Sequence, residues 1–292
     1  MRRLAAAGLL VAVSIAAHAC PPSEWPRAQL EALKASQWQL ADAERRTRLA
    51  FDLLPCLASP DPQLRDQLAF EALQTWLRTG ALTSATSREL GVRLQDMLSA
   101  PDPDGVARPF AMLALAEVVR DDRLRGVWTS AERDATLTRV AEQLRAVTDY
   151  RGFEPGIGWR HSVAHASDAL MQFALNPALT REQLDRILAA VASQVMPAGH
   201  AYVHGESERL ARPVLFVARR GLHSTEEWRQ WFTQLTKAAV PPGEPASLAS
   251  LARVHDVKGF LMPLYIAAQE GGPPELRERV LPGLVSALRA LP

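Results

Sequence analysis

Residues that build sheets by alternation are scarce in this sequence. Val/Ile/Thr alternation with polar neighbours is almost absent, and aromatics make up only 6% of the 292 residues. Strands are therefore expected to be few. An excess of one charge is lacking too. Lys and Arg number 33 against 32 Asp and Glu, a net charge of +1. That balance offers no clustered basic footprint for nucleic acid and no polybasic patch for an anionic membrane. Charges of both signs alternate along the polar faces instead, as on ordinary solvated helices. Beyond the first residues, charges break every apolar run, so no later stretch reaches the roughly 20 residues a membrane-spanning helix needs. Several sharp motifs are missing as well: no Gly-x-Ser-x-Gly elbow, no phosphate-binding loop and no dinucleotide fingerprint.

The N-terminus is different in kind. Met1-Arg2-Arg3 precedes an apolar run from Leu4 to Ala17, and Ala17-His18-Ala19 stands before Cys20. A basic start, a short apolar stretch and small residues three and one before a cut are the parts of a secretory signal. Residues 1–19 are thus expected to be a cleaved signal peptide and residues 20–292 a single domain. The cut removes two arginines, leaving 31 basic against 32 acidic residues, a net charge of about −1.

Only two cysteines, Cys20 and Cys56, are present. In an oxidising envelope compartment such a pair points to a disulfide, closing a loop worth about 3 to 4 kcal/mol in the chain-entropy model. A second reading makes Cys20 the lipid-bearing first residue of a lipoprotein. Against it, Ala17 stands three before the cysteine where Leu is usual, and bulky His18 follows. Both readings place the protein outside the cytoplasm, in the periplasm, with membrane attachment only through a lipid on Cys20.

Helical periodicity fills the rest. Leu64, Leu68, Ala72, Leu73, Trp76 and Leu77 form one apolar stripe. Ala111, Leu115, Val118 and Val119 form another, and Leu184, Ile187, Leu188 and Val191 a third. Breaks at Ser59–Pro62, Pro101–Pro103, Thr129–Ser130, Asn176–Pro177, Met196–Pro197 and Pro241–Gly243 divide the chain into about ten to twelve helices of ordinary length. Ser59-Pro60-Asp61-Pro62 is echoed 41 residues later by Ala100-Pro101-Asp102-Pro103, each leading into a helix. That interval fits helical-hairpin repeats. The expected fold is all-α, with antiparallel helix pairs stacked as a HEAT- or armadillo-like α-solenoid.

Chemistry concentrates in two places. The first is a glycine-rich loop, Asp149 to Trp159, that includes Arg151 and leads into a helix carrying His161, His165 and Asp168. Spacing of i, i+4 and i+7 puts these three side chains on one face. Two imidazoles one turn apart, with a carboxylate one turn on, suit a divalent metal. The zinc-protease motif is absent, because Ser162 stands where it carries glutamate. About 40 residues on comes a second cluster, His200-Ala201-Tyr202-Val203-His204-Gly205-Glu206-Ser207-Glu208-Arg209-Leu210. Equivalent helix starts of stacked repeats lie side by side, so both segments are expected to face one groove.

At these residues the sequence resembles a bacterial family known as domain of unknown function 2785. The resemblance runs through Ser59–Asp66, Arg108–Ala111, Asp149–Gly152, Gly158–Asp168, Gly205–Ala211 and Asp256–Leu261. Its most specific stretch is Gly158-Trp159-Arg160-His161, with His165 and Asp168 following, together with Glu206-Ser207-Glu208-Arg209-Leu210. Arg160 departs from a usually smaller residue, and Ser207 from a common acid. The resemblance implies a helical fold and a shared site, and no activity.

Two functions follow as expectations. In one, a groove holds a small anionic ligand or a divalent metal through Trp159, His161, His165, Asp168, His204, Glu206 and Arg209. In the catalytic version the histidines hold the metal, Glu206 or Glu208 acts as base on a bound water and Arg209 holds an anionic group, with Arg151 a further candidate for ligand binding. In the other, the chain is a non-enzymatic envelope scaffold whose concave surface binds a protein or peptide.

Overall fold

The computed structural model describes residues 20–292; the expected signal segment lies outside the described residues. Short polar breaks start the helices by giving their free N–H groups a partner. Asp61 accepts from the backbone of Gln63 and Leu64, and Asp102 from Val106, Ala107 and Arg108. The 41-residue echo is thus a repeated capping device. Thr129, Thr180, Ser224 and Ser247 each complete a reciprocal capping box.

Twelve α-helices result among the described residues: α1 (Arg27–Ala35), α2 (Ala43–Asp52), α3 (Glu71–Arg78), α4 (Ser84–Ser99), α5 (Ala107–Arg125), α6 (Ser130–Arg145), α7 (Ser162–Ala174), α8 (Arg181–Ala192), α9 (Glu206–Arg219), α10 (Thr225–Ala239), α11 (Leu248–Gly271) and α12 (Pro274–Arg289). The all-α expectation holds, and the three apolar stripes are buried as predicted. None of these helices is long and apolar enough to cross a membrane. A tight hairpin interrupts them, with β1 (Phe153–Glu154) antiparallel to β2 (Gly158–Trp159).

Helices two apart in sequence pack together. α3 lies on α5, α5 on α7, α7 on α9 and α9 on α11, while α6 lies on α8 and α10 on α12. Charged ties cross between them at recurring sequence distances. Arg78 reaches Glu117 across 39 residues, Arg209 reaches Asp168 across 41, and Arg181 reaches Glu227 across 46. One apolar core runs continuously from Trp25 to Leu291.

The N-terminal end is held in two ways. Cys20 and Cys56 are joined in a disulfide. That bond occupies the sulfur a thioether-linked lipid would need, so of the two readings of Cys20 the fold realises the disulfide. Immediately before α3, Gln63–Phe70 winds more widely than an α-helix and buries Arg65 completely. The guanidinium pairs with Asp66, donates to the carbonyls of Ser59 and Ile157, and lies 4.2 Å over the Phe110 ring. The β-hairpin is thereby tied to a segment 92 residues away. A buried charge with this many partners offsets its desolvation.

Candidate functional site

The hairpin delivers the start of α7. Arg160 N–H donates to the Gly152 carbonyl at 2.8 Å and His161 N–H to Arg151 at 3.2 Å, continuing the β1–β2 ladder into the helix. His161 then stands just before α7 in the left-handed region, with φ 54° and ψ 40°. For a non-glycine residue that conformation costs about 1 to 3 kcal/mol. It aims the imidazole across to the segment before α9, where Nε2 lies 3.0 Å from the His204 carbonyl. A carbonyl only accepts, so Nε2 carries the proton.

His161, His204 and Glu206 converge. Glu206 opens α9 and is 2% exposed. Its Oε2 accepts from the His204 backbone at 2.8 Å. Its Oε1 has no hydrogen-bond partner and stands 3.7 Å from both His161 Nε2 and His204 Nδ1. Trp159 stacks on His161 with ring centroids 4.3 Å apart and meets His204 edge-on at 6.0 Å. Close approach explains one glycine: a Cβ on Gly152 would lie 2.3 Å from His204 Nδ1. Any side chain there would push the imidazole out of place. Burial lowers the His161 pKa, and the Glu206 carboxylate partly opposes this.

The expected metal ligands share a helix face but are turned to different partners. His165 is buried against Phe110 and donates from Nδ1 to the Pro109 carbonyl at 2.9 Å. Desolvation drives its pKa down to about 3, so it is neutral at ordinary pH. Asp168 is taken up by a two-bond pair with Arg209, one bond being 2.9 Å. Burial raises the Asp168 carboxyl and the guanidinium opposes that rise. Among the described residues no group of three or more His, Cys, Asp or Glu side chains is placed to hold a metal ion. The triad His161, His165 and Asp168 is therefore not assembled, because helix packing gives two of its members other partners.

Three more residues stand apart from the cluster's chemistry. Glu208 points to solvent and pairs with Arg212. Arg151 is held by Asp149, with Nε 2.8 Å from Oδ1, and Arg209 by Asp168. Both candidate arginines thus already carry a carboxylate.

Sequence reasoning missed several participants. Asp256, on α11, is fully buried and accepts from Tyr202 N–H at 2.9 Å, while its Oδ2 has no partner. Burial raises its carboxyl from 3.8 to about 6. His200 stacks on Tyr150 at 5.1 Å and leaves Nε2 unpartnered. A cavity of about 570 Å³ opens here, lined by Tyr150, Arg151, Gly152, Phe153, His200 and His204. His200 and Asp256 were in view as residues; nothing in their spacing announced their burial.

The profile of a family described as protein of unknown function (DUF2785) matches residues 94–266. That span is 173 of 292 residues and contains the hairpin, His161, His204, Glu206 and Asp256. The chain belongs to this family. No curated protein and no solved structure matches it.

Proposed function

We propose that this chain is an exported helical-repeat protein that binds a small polar molecule at the His161–His204–Glu206 cluster and the cavity beside it. The unpartnered Glu206 Oε1 carries the reading. A buried polar atom without a hydrogen bond costs about 1 to 3 kcal/mol, more when charged, and native folds rarely leave one. Here two such atoms belong to His200 and His204, which line the cavity, and a third is the Glu206 oxygen 3.7 Å from His204 Nδ1. A ligand supplying hydrogen bonds would satisfy groups of this kind, and the strained His161 backbone fits a site held for binding. The repeat architecture is supported by the packing of helices two apart and by polar ties at intervals of about 40 residues. Export is supported by the signal-like start and by the disulfide. Mass spectrometry after cell fractionation tests it: a periplasmic chain beginning at Cys20 is expected, and a cytoplasmic chain retaining Met1 contradicts export.

Thermal-shift screening against a metabolite library tests the binding. Stabilisers are expected for the wild-type protein, with their effect lost in a His204→Ala/Glu206→Gln variant. A library that leaves both proteins unmoved, or stabilises both equally, removes the reading.

A scaffold reading also has an observation of its own. Leu248, Leu251, Met262 and Ile266 are exposed along α11, and such residues suit a protein partner. It predicts that the same double variant melts well below wild type and keeps partner binding.

A further inference from the structure

We infer that the ligand is a neutral carbohydrate, held by an exposed aromatic platform at the hairpin and by the histidine-lined polar wall of the cavity beside it. This rests on the binding reading above and narrows it to one chemical class. Charge supplies the first argument. Arg151, Arg160 and Arg209 are the arginines of the segments around the cluster, and each is already paired: with Asp149, Glu154 and Asp168 respectively. An anionic ligand would meet no unpaired arginine there, and the Glu206 carboxylate lies 3.7 Å from His204 Nδ1. The expected small anionic ligand fits this wall poorly.

Hydrogen-bonding capacity supplies the second. His200 and His204 line the cavity, and their Nε2 and Nδ1 atoms each accept or donate according to tautomer, with the Glu206 acceptor 3.7 Å behind His204. Hydroxyl groups, which donate and accept at the same atom, match such a wall without adding charge. Apolar surface supplies the third. Phe153 keeps 49% of its surface exposed, Trp159 41% and neighbouring Val203 71%. Phe153 and Trp159 meet edge-to-face at 5.2 Å. Trp159 stays this open although its ring stacks on His161. An aromatic ring left open beside polar groups suits a ligand with one C–H face and hydroxyls around its rim. A sugar ring has both.

Isothermal titration of the full exported chain with maltotriose, cellotriose and triacetylchitotriose, and with trigalacturonate as the anionic control, tests the assignment. Saturable binding of at least one neutral trisaccharide is expected, with quenching of tryptophan fluorescence. Trp159→Ala should weaken it at least tenfold while circular dichroism stays unchanged, and Glu206→Gln should weaken it too. Binding of trigalacturonate alone, or no binding of any neutral sugar, overturns the carbohydrate class. Sugar binding that Trp159→Ala leaves intact overturns the platform. If the library screen finds a cluster-dependent ligand that is not a sugar, the binding reading stands and only this inference falls.

Discussion

The helical body of the molecule and its hairpin end treat buried charge in opposite ways. In the body, Asp122 is 2% exposed and fully engaged: it accepts two bonds from Arg133, one from the Trp128 backbone and one from Asn176. Glu117 is shared by Arg78 and Gln74, and Arg65 has partners of three kinds: a carboxylate, backbone carbonyls and an aromatic ring. At the hairpin end, Glu206 and Asp256 are as deeply buried, yet each leaves an oxygen unpartnered. Four of the seven unpartnered buried side-chain atoms among the described residues lie at this end. The body satisfies its buried charges, while at the hairpin end two carboxylates each keep one oxygen without a partner, and the binding reading rests on that difference.

The largest expected effect comes from breaking a satisfied charge. Asp122→Ala strands the Arg133 guanidinium in the interior and should cost about 3 to 5 kcal/mol in urea unfolding. A loss below 1 kcal/mol would show that the body's pairs matter less than their geometry indicates. Reducing the Cys20–Cys56 bond frees a 36-residue separation and should cost about 3 to 4 kcal/mol; an unchanged melting temperature under dithiothreitol contradicts that.

The pH dependence sharpens the contrast further, because two buried groups pull in opposite directions. Asp256 is raised from 3.8 to about 6, so between these values the folded chain holds a proton the unfolded chain has lost. Stability from this group is full below pH 4 and falls as pH rises to 6. His165 is lowered from 6.5 to about 3, so the unfolded chain holds the extra proton across that window. Its contribution is full above 6.5 and is lost as pH falls towards 3. The two nearly offset each other between pH 4 and 6. Asp256→Asn should expose the histidine's slope, with stability rising with pH across that window. A flat profile in that variant would contradict the burial argued for His165.

The smallest effect is expected at Glu208, which pairs with Arg212 in solvent. Glu208→Ala should change stability by less than about 0.5 kcal/mol and leave ligand binding unaltered. A binding defect in that variant would return Glu208 to the site.

How much of this was legible in the sequence depends on whether the cause was local. Helix stripes, capping Asp61 and Asp102 and the breaks between helices are set by neighbours along the chain, and they read correctly. The meeting of His161 with His204 and Glu206 follows from the packing of α7 on α9, which sets the starts of the two helices side by side as the spacing predicts. Partner choice was not. Nothing in the spacing of His165 and Asp168 reveals that the Pro109 carbonyl and Arg209 reach them first, since both contacts come from other helices. In the sequence the hairpin reads as a loop, because its strands are two residues long, too short for any alternation to register. Asp256 was hidden for a similar reason: an aspartate in a helical pattern looks solvated until Tyr202 covers it.

Urea unfolding of Glu206→Gln beside the wild-type protein, without ligand, tests the central contrast most directly. If Glu206 is reserved for a ligand, replacing its carboxylate with an uncharged amide should leave stability unchanged or raise it, because an unpartnered buried charge is removed. A loss of about 3 kcal/mol or more, comparable with Asp122→Ala, would make Glu206 one more structural charge of the body and contradict the account.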